Sequence, residues 1–264
     1  METSRERQKM GVWAQMVEIH GMTHGLPEGR LTEMVGRIAA AGEQLGLAST
    51  CSREAHRWLA QPEDDVSRPI AARSLAEMTG YYALTAAHGL GNITLRTLLL
   101  NNAAAASINA KYKKAEGFPP FTDDREAWRP LNPSLVEALD VAAQAVRQAT
   151  VTALVGVLAD LVHDPRWIAL EGRRNIDFHR WRPQSVAGGV PQENPWVALP
   201  AGQRMMTVRV NNGYVVPDHE ALIMEADDAL GALAASMDRW LEQFAHATRD
   251  LGVPLFTTSD DAEG

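Results

Sequence analysis

Apolar residues recur at three- and four-residue steps over long stretches of this 264-residue chain, and this spacing constrains its fold most strongly. It predicts amphipathic α-helices with one buried stripe each. Asn132-Pro133 is typical of a helix start, because Asn caps free amides and Pro needs no amide partner in the first turn. Asp164-Pro165 is typical of a helix end. The stripe between them comprises Leu135, Leu139, Ala142, Val146, Ala149, Ala153, Val157 and Leu161.

Other segments show the same helical pattern. A second long helix is predicted to begin near Asp218 and to end at Gly252-Val253-Pro254. A third helical region extends from about Pro69 to Lys114, with a bend expected at Gly89-Leu90-Gly91. The second helix carries Ile223, Ala226, Leu230, Leu233, Met237, Trp240 and Phe244 on one face. Shorter helices are predicted over 5–19, 31–47 and 51–60.

One strong strand signal interrupts this helical pattern. Residues 206–216 read MTVRV-NNG-YVV, and Asn212-Gly213 suits a type I′ turn between two β-rich arms. Segments 115–131 and 183–205 are rich in Pro, Gly and aromatic residues, which predicts loops. The sequence therefore predicts an all-α fold, a bundle of long amphipathic helices with a small β-hairpin insertion near 206–216.

A single helical domain over 1–264 is expected. It comprises an N-terminal helical extension over about 1–60, a core bundle over about 68–250 and a flexible acidic tail over 257–264. The lone cysteine, Cys51, can form neither an internal disulfide nor a multi-cysteine zinc site. The N-terminus lacks the apolar run of a secretory signal, and no membrane-spanning helix is predicted, so we expect a cytoplasmic protein.

Charge is unevenly distributed along the chain. The formal net charge of −8 argues against a protein that coats duplex DNA. Residues 173–182, however, contain four arginines and one aspartate, Asp177. Arginine binds phosphate oxygens with a planar fork, and aromatic rings stack on bases, so this segment is a candidate RNA-binding site. A salt-bridged surface segment is the alternative interpretation. The candidate RNA-binding residues are Arg173, Asn175, Arg180, Trp181 and Arg182.

Arg174 and His179 within this segment form a candidate catalytic pair. An imidazole with a pKa near neutrality can take a proton from a ribose 2′-hydroxyl or return one to a leaving oxygen. A nearby guanidinium can stabilise the charge that grows on the phosphorane. Such a transesterification needs no metal, so we expect neither metal ligands nor a cofactor. Pro183 would disturb a helix that continued through the segment.

The sequence RNIDFHRW resembles the Arg-polar-x3-His-x-aromatic signature of the HEPN superfamily, which includes metal-independent endoribonucleases of toxin–antitoxin, CRISPR and anti-phage systems. The resemblance implies a bundle of at least four helices, a homodimer with a composite ribonuclease site, and products ending in a cyclic phosphate. By motif position, Arg174 and His179 would be catalytic and Asn175 would be the polar partner. Trp181 stands where related toxins often carry a modifiable tyrosine.

Three functional hypotheses follow. The first is a HEPN-like endoribonuclease of a toxin or antiviral defence system, a hydrolase whose partners are RNA, a second copy and an antitoxin or defence protein. The second is a non-catalytic helical module that binds RNA, a nucleotide or an acidic partner through 173–182. The third is a helical metalloprotein built on His20 and His24. His88 is interpreted as a satisfied core histidine, with a bundle-interior site as the alternative.

Overall fold

The computed structural model describes residues 28–61, 67–116, 129–179, 189–198, 204–210 and 219–251, and beyond residue 172 of the sixth helix it describes the backbone alone. Within these ranges lie seven helices and one two-stranded ribbon. The helices are α1 (Glu28–Leu59), α2 (Ser67–Leu99), α3 (Asn102–Glu116), α4 (Pro133–Val146), α5 (Ala149–His163), α6 (Pro165–His179) and α7 (His219–Asp250), and the strands are β1 (Gly189–Ala198) and β2 (Arg204–Val210).

Helices α2 and α7 form the centre of the bundle and run parallel. Near their N-termini, Ile223 of α7 packs in a small apolar cluster with Ala72 and Ala76 of α2. Further along both helices, the buried Trp240 indole donates to the Thr94 hydroxyl over 3.0 Å. Because both contacts advance in the same direction along the two helices, they fix the relative orientation of α2 and α7.

Helix α2 continues without a break through Gly89–Gly91, where we expected a bend, and ends at Leu99. Their role is close packing. A Cβ on Gly89 would lie 3.1 Å from the Ala41 side chain of α1, and one on Gly91 would lie 3.2 Å from Leu131 and Leu135. The glycines let α1 and the start of α4 approach the α2 backbone closely. The two short helices predicted over 31–47 and 51–60 are parts of one continuous helix, α1. The helix predicted over 5–19 lies outside the described residues.

The single helix predicted between Asn132 and Asp164 is in fact two. Arg147 adopts a left-handed conformation, with φ of 61°, and its amide closes α4 on the Ala143 carbonyl. Asn132 caps the start of α4 as the sequence indicates, accepting a hydrogen bond from the Leu135 amide. The predicted stripe is buried in α4 but is exposed at Ala149 and Ala153, just after the break, because α5 buries another face that includes Val151, Leu154 and Leu158.

The predicted fold class is wrong in its β-hairpin near 206–216. In the described residues the helices are accompanied by a ribbon of β1 and β2 instead. Strand β2 pairs antiparallel with the preceding segment, β1, so that Val210 lies opposite Gly189 and Arg204 opposite Ala198. Residues 183–205, predicted to be a loop, therefore contain all of β1 and the first two residues of β2. The register of the β1–β2 pairing shifts between Pro191 and Trp196. Prolines are tolerated at such irregularities, and the proline content of this segment is the reason that the sequence predicted a loop. Asn212-Gly213 lies outside the described residues.

Candidate functional site

Helix α6 carries the candidate pair, and its first turn is well anchored. Asp164 caps it, accepting from the Arg166 amide over 2.9 Å, and the Arg166 guanidinium forks back onto the same carboxylate at 3.0 and 2.7 Å. The Arg166 hydrogen bond holds the pKa of the Asp164 carboxyl below its usual value. Trp167 is fully buried and Leu170 nearly so. These contacts fix the N-terminal half of α6 against the bundle.

The contacts of α5 and of Leu170 place the start of α6 in the bundle. Helix α5 runs antiparallel to α7, because Thr150 bonds to Asp250 and Asp160 bonds to Arg239. Helix α6 begins after Asp164 and meets α2 at Gly80, where an added Cβ would lie 2.6 Å from Cδ1 of Leu170.

The candidate pair lies in the last two turns of α6. Arg174 and His179 are on one continuous helix that ends at His179, four residues before Pro183. At five residues apart, their Cα positions differ by about 140° around the axis and about 7.5 Å along it. The structure therefore brings the pair to one helix end but to different faces of the helix.

The other predicted RNA-binding residues are only partly covered. Arg173 and Asn175 belong to α6 and are the chain neighbours of Arg174. The remaining three, Arg180, Trp181 and Arg182, lie outside the described residues.

His88 proves to be a structural residue, as the core interpretation predicted. Its Nδ1 accepts a hydrogen bond from the Leu131 amide over 3.0 Å. One turn later, the buried Asn92 side chain accepts from the Arg129 amide at 2.9 Å and donates to the Arg129 carbonyl at 2.8 Å. Both side chains hold the segment that leads into α4 against α2. The Arg129 guanidinium in turn lies 4.9 Å from the centre of the Tyr112 ring.

Replacing Asn92 with alanine is expected to lower the free energy of unfolding by about 2–4 kcal/mol, because two buried backbone groups of Arg129 lose their partner. Urea denaturation measures this loss. Thr85→Ala is the matched control, because it removes a hydroxyl on the same helix that bonds only to the local Tyr81 carbonyl. A loss below about 1 kcal/mol for Asn92→Ala would contradict the structural role.

A cluster that the sequence analysis missed connects α1 to α7. Ser52 donates to one oxygen of Asp227 over 2.6 Å, and His56 Nε2 lies 2.6 Å from the other oxygen. In a catalytic triad the imidazole stands between the hydroxyl and the carboxylate. Here the carboxylate stands between the other two groups, so the cluster joins two helices and does not activate Ser52. Asp227 follows Ser52 by 175 residues and His56 by 171, so no local motif could have revealed the cluster.

Metal ligation finds no support in the described part of the chain, where no three His, Cys, Asp or Glu side chains converge. His20 and His24 lie outside that part. Among the described helices, none combines the length and apolar character needed to cross a bilayer. Comparisons with protein-family models, curated proteins and solved structures find no match to this chain.

Proposed function

We propose that this protein is a HEPN-like, metal-independent endoribonuclease in which Arg174 and His179 are the catalytic residues. The observation that carries the proposal is the continuity of α6. One helix, anchored at Asp164, Trp167 and Leu170, extends to the end of the motif and presents both residues in its last two turns. A rigid element of this kind is suited to position a catalytic pair.

The proposed chemistry is a transesterification at a phosphodiester. The His179 imidazole takes the proton of a ribose 2′-hydroxyl, and the 2′-oxygen attacks phosphorus. The bond from phosphorus to the 5′-oxygen of the next nucleotide breaks, and the imidazolium returns the proton to this leaving oxygen. The Arg174 guanidinium stabilises the additional negative charge on the phosphorane oxygens. The products are a 2′,3′-cyclic phosphate and a free 5′-hydroxyl. No oxidant, metal or cofactor takes part in this sequence.

A homodimer fits the separation of the pair around α6. Because Arg174 and His179 differ by about 140° around one helix, a phosphate that contacts both is more easily held between two copies of α6 than by one copy alone. We therefore propose a composite site in a homodimer, with an antitoxin or defence protein as a further partner and the cytoplasm as its location.

The second candidate function is a binding module without catalysis. The same separation around α6 supports it, since residues on two faces of a helix can bind two separate anionic groups without acting on one phosphate. In this case 173–182 would bind RNA, a nucleotide or an acidic protein surface through charge and stacking alone. Binding of RNA without any cleavage would identify this function.

Cleavage of RNA by the purified protein is expected to continue in excess EDTA. The reason is that the proposed step uses an imidazole and a guanidinium in place of a metal-bound hydroxide. The measurement is electrophoresis of end-labelled RNA, with phosphatase and acid treatment to reveal cyclic phosphate ends. Cutting that disappears in EDTA and returns with magnesium or zinc would overturn the proposal.

A further inference from the structure

The exposed side chains of α2 form a single stripe that carries no charge. Every side chain between Ile70 and Leu99 is described, and only four of them are exposed, Ile70, Ser74, Met78 and Tyr81. Steps of four, four and three residues place these four on one face of the helix. Ile70 is 67% exposed, Tyr81 52% and Met78 39%. Solvated helix faces usually carry charged side chains, so this stripe is typical of a surface that a partner covers.

The neighbouring charges on α2 do not change this character. Arg73 and Glu77 are the charged residues between Ile70 and Tyr81, and they pair with each other over 2.8 Å. The exposed side of α7 shows the usual pattern instead, since it includes Glu220, Asp228 and Glu242. The stripe on α2 therefore differs in chemistry from the exposed side of the other central helix.

We propose that this stripe is the contact surface for a second copy of the chain, with α2 packed against α2 about a twofold axis. The net charge of −8 makes two copies repel each other unless they meet on a face without charge. In a twofold contact the same patch lies on both sides, so a charge within it would meet its own like. A basic protein or a nucleic acid would be bound through charged side chains, and the stripe offers none.

The contact is small, but its aromatic residue is ordered in advance. Tyr82 packs against the core, and its ring meets the Tyr81 ring edge to face with centres 5.6 Å apart. From Ile70 to Tyr81 the stripe measures about 16 Å along the helix. One such helix from each copy buries less than the roughly 1,200 Å² of a standard interface, so we expect a reversible dimer with Kd on the order of micromolar. The dimer would supply the second copy of the proposed composite site, but the inference itself does not depend on cleavage.

Met78→Glu and Met78→Lys test this surface, because each variant brings like charges together in a twofold contact. In sedimentation velocity, the full wild-type chain should shift with concentration from 28.8 kDa towards twice that mass. Each variant alone should raise Kd at least about tenfold, whereas an equal mixture of the two should restore the dimer because opposite charges then meet. Met224→Glu and Met224→Lys are the matched controls, since Met224 is 63% exposed on α7, and they should leave Kd unchanged.

Thermal unfolding checks the fold of each variant. At a concentration where the wild type is monomeric, Tm should stay within about 2 °C of the wild-type value, as for other surface substitutions. Should a Met78 variant fail this check, Tyr81→Ala is the second variant, and it should weaken the dimer without adding charge. A wild-type chain that stays monomeric at all concentrations would assign the stripe to a different partner and overturn the proposal. A dimer that the α2 variants weaken no more than the Met224 variants, or a Glu–Lys mixture that stays monomeric, would also overturn it. The ribonuclease proposal fails separately, if the wild type does not cut RNA.

Discussion

Replacing His179 with alanine is expected to lower the rate of RNA cleavage by about 10²–10⁴-fold, the usual contribution of general acid–base catalysis. Arg174→Ala should cost a comparable factor because it removes the charge that offsets the phosphorane. If the two residues act as one unit, the double variant should be little worse than either single variant. Single-turnover cleavage of a labelled RNA measures all three.

The fold should change much less than the activity. His179 is the last residue of α6, whereas Trp167 and Leu170 supply the buried contacts of that helix. His163→Ala, at the exposed end of the neighbouring α5, is the matched control and should retain full activity. A folded and fully active His179→Ala protein would show that this motif is not the catalytic site.

The helices were predictable from the sequence because periodicity and capping residues report directly on local structure. Asn132-Pro133 correctly predicted the start of α4. The apolar stripe after Asp218 predicted α7 with both ends within about two residues of the observed bounds, His219 and Asp250. Breaks and bends were less predictable. Arg147 ends α4 in a left-handed conformation that sequence spacing does not report. Gly89 and Gly91 lie inside the continuous helix α2, where they allow close packing of neighbouring segments. Both outcomes depend on contacts between helices.

The pairing of strands and the site neighbours depended on residues far apart in the chain. The turn signal at Asn212-Gly213 was misleading because the partner of β2 was the proline-containing segment 189–198. The Arg–His motif was found from local sequence. Its place at the end of α6 follows from the bounds of that helix, and the packing of α6 on α2 follows from the contact between Leu170 and Gly80. Tertiary contacts of this kind leave no spacing pattern in a single sequence.

The largest loss of stability is expected from Trp240→Ala. Trp240 is fully buried, stacks on Phe244 with ring centres 4.5 Å apart, and bonds to Thr94. Removing a buried tryptophan side chain leaves a large cavity and typically costs about 3–5 kcal/mol. Since 1 kcal/mol corresponds to about 2–4 °C in a chain of this size, Tm should fall on the order of 10 °C. Calorimetry and urea denaturation measure the two quantities.

Two milder variants separate packing from hydrogen bonding at this site. Thr94→Val keeps the shape of the side chain and leaves the Trp240 indole without its acceptor, so it should cost about 1–3 kcal/mol. Trp240→Phe removes the donor but retains an aromatic ring, and its loss should lie below that of Trp240→Ala. A loss under about 1 kcal/mol for Trp240→Ala would contradict the central packing role of α7.

The same variants should leave the activity of the folded protein unchanged. Trp240 contacts α2 near Thr94, whereas Leu170 of α6, the helix of the candidate pair, contacts α2 at Gly80. The folded fraction of each variant should therefore retain the wild-type kcat. Stability and cleavage should therefore respond to different residues, Trp240 for the first and His179 for the second.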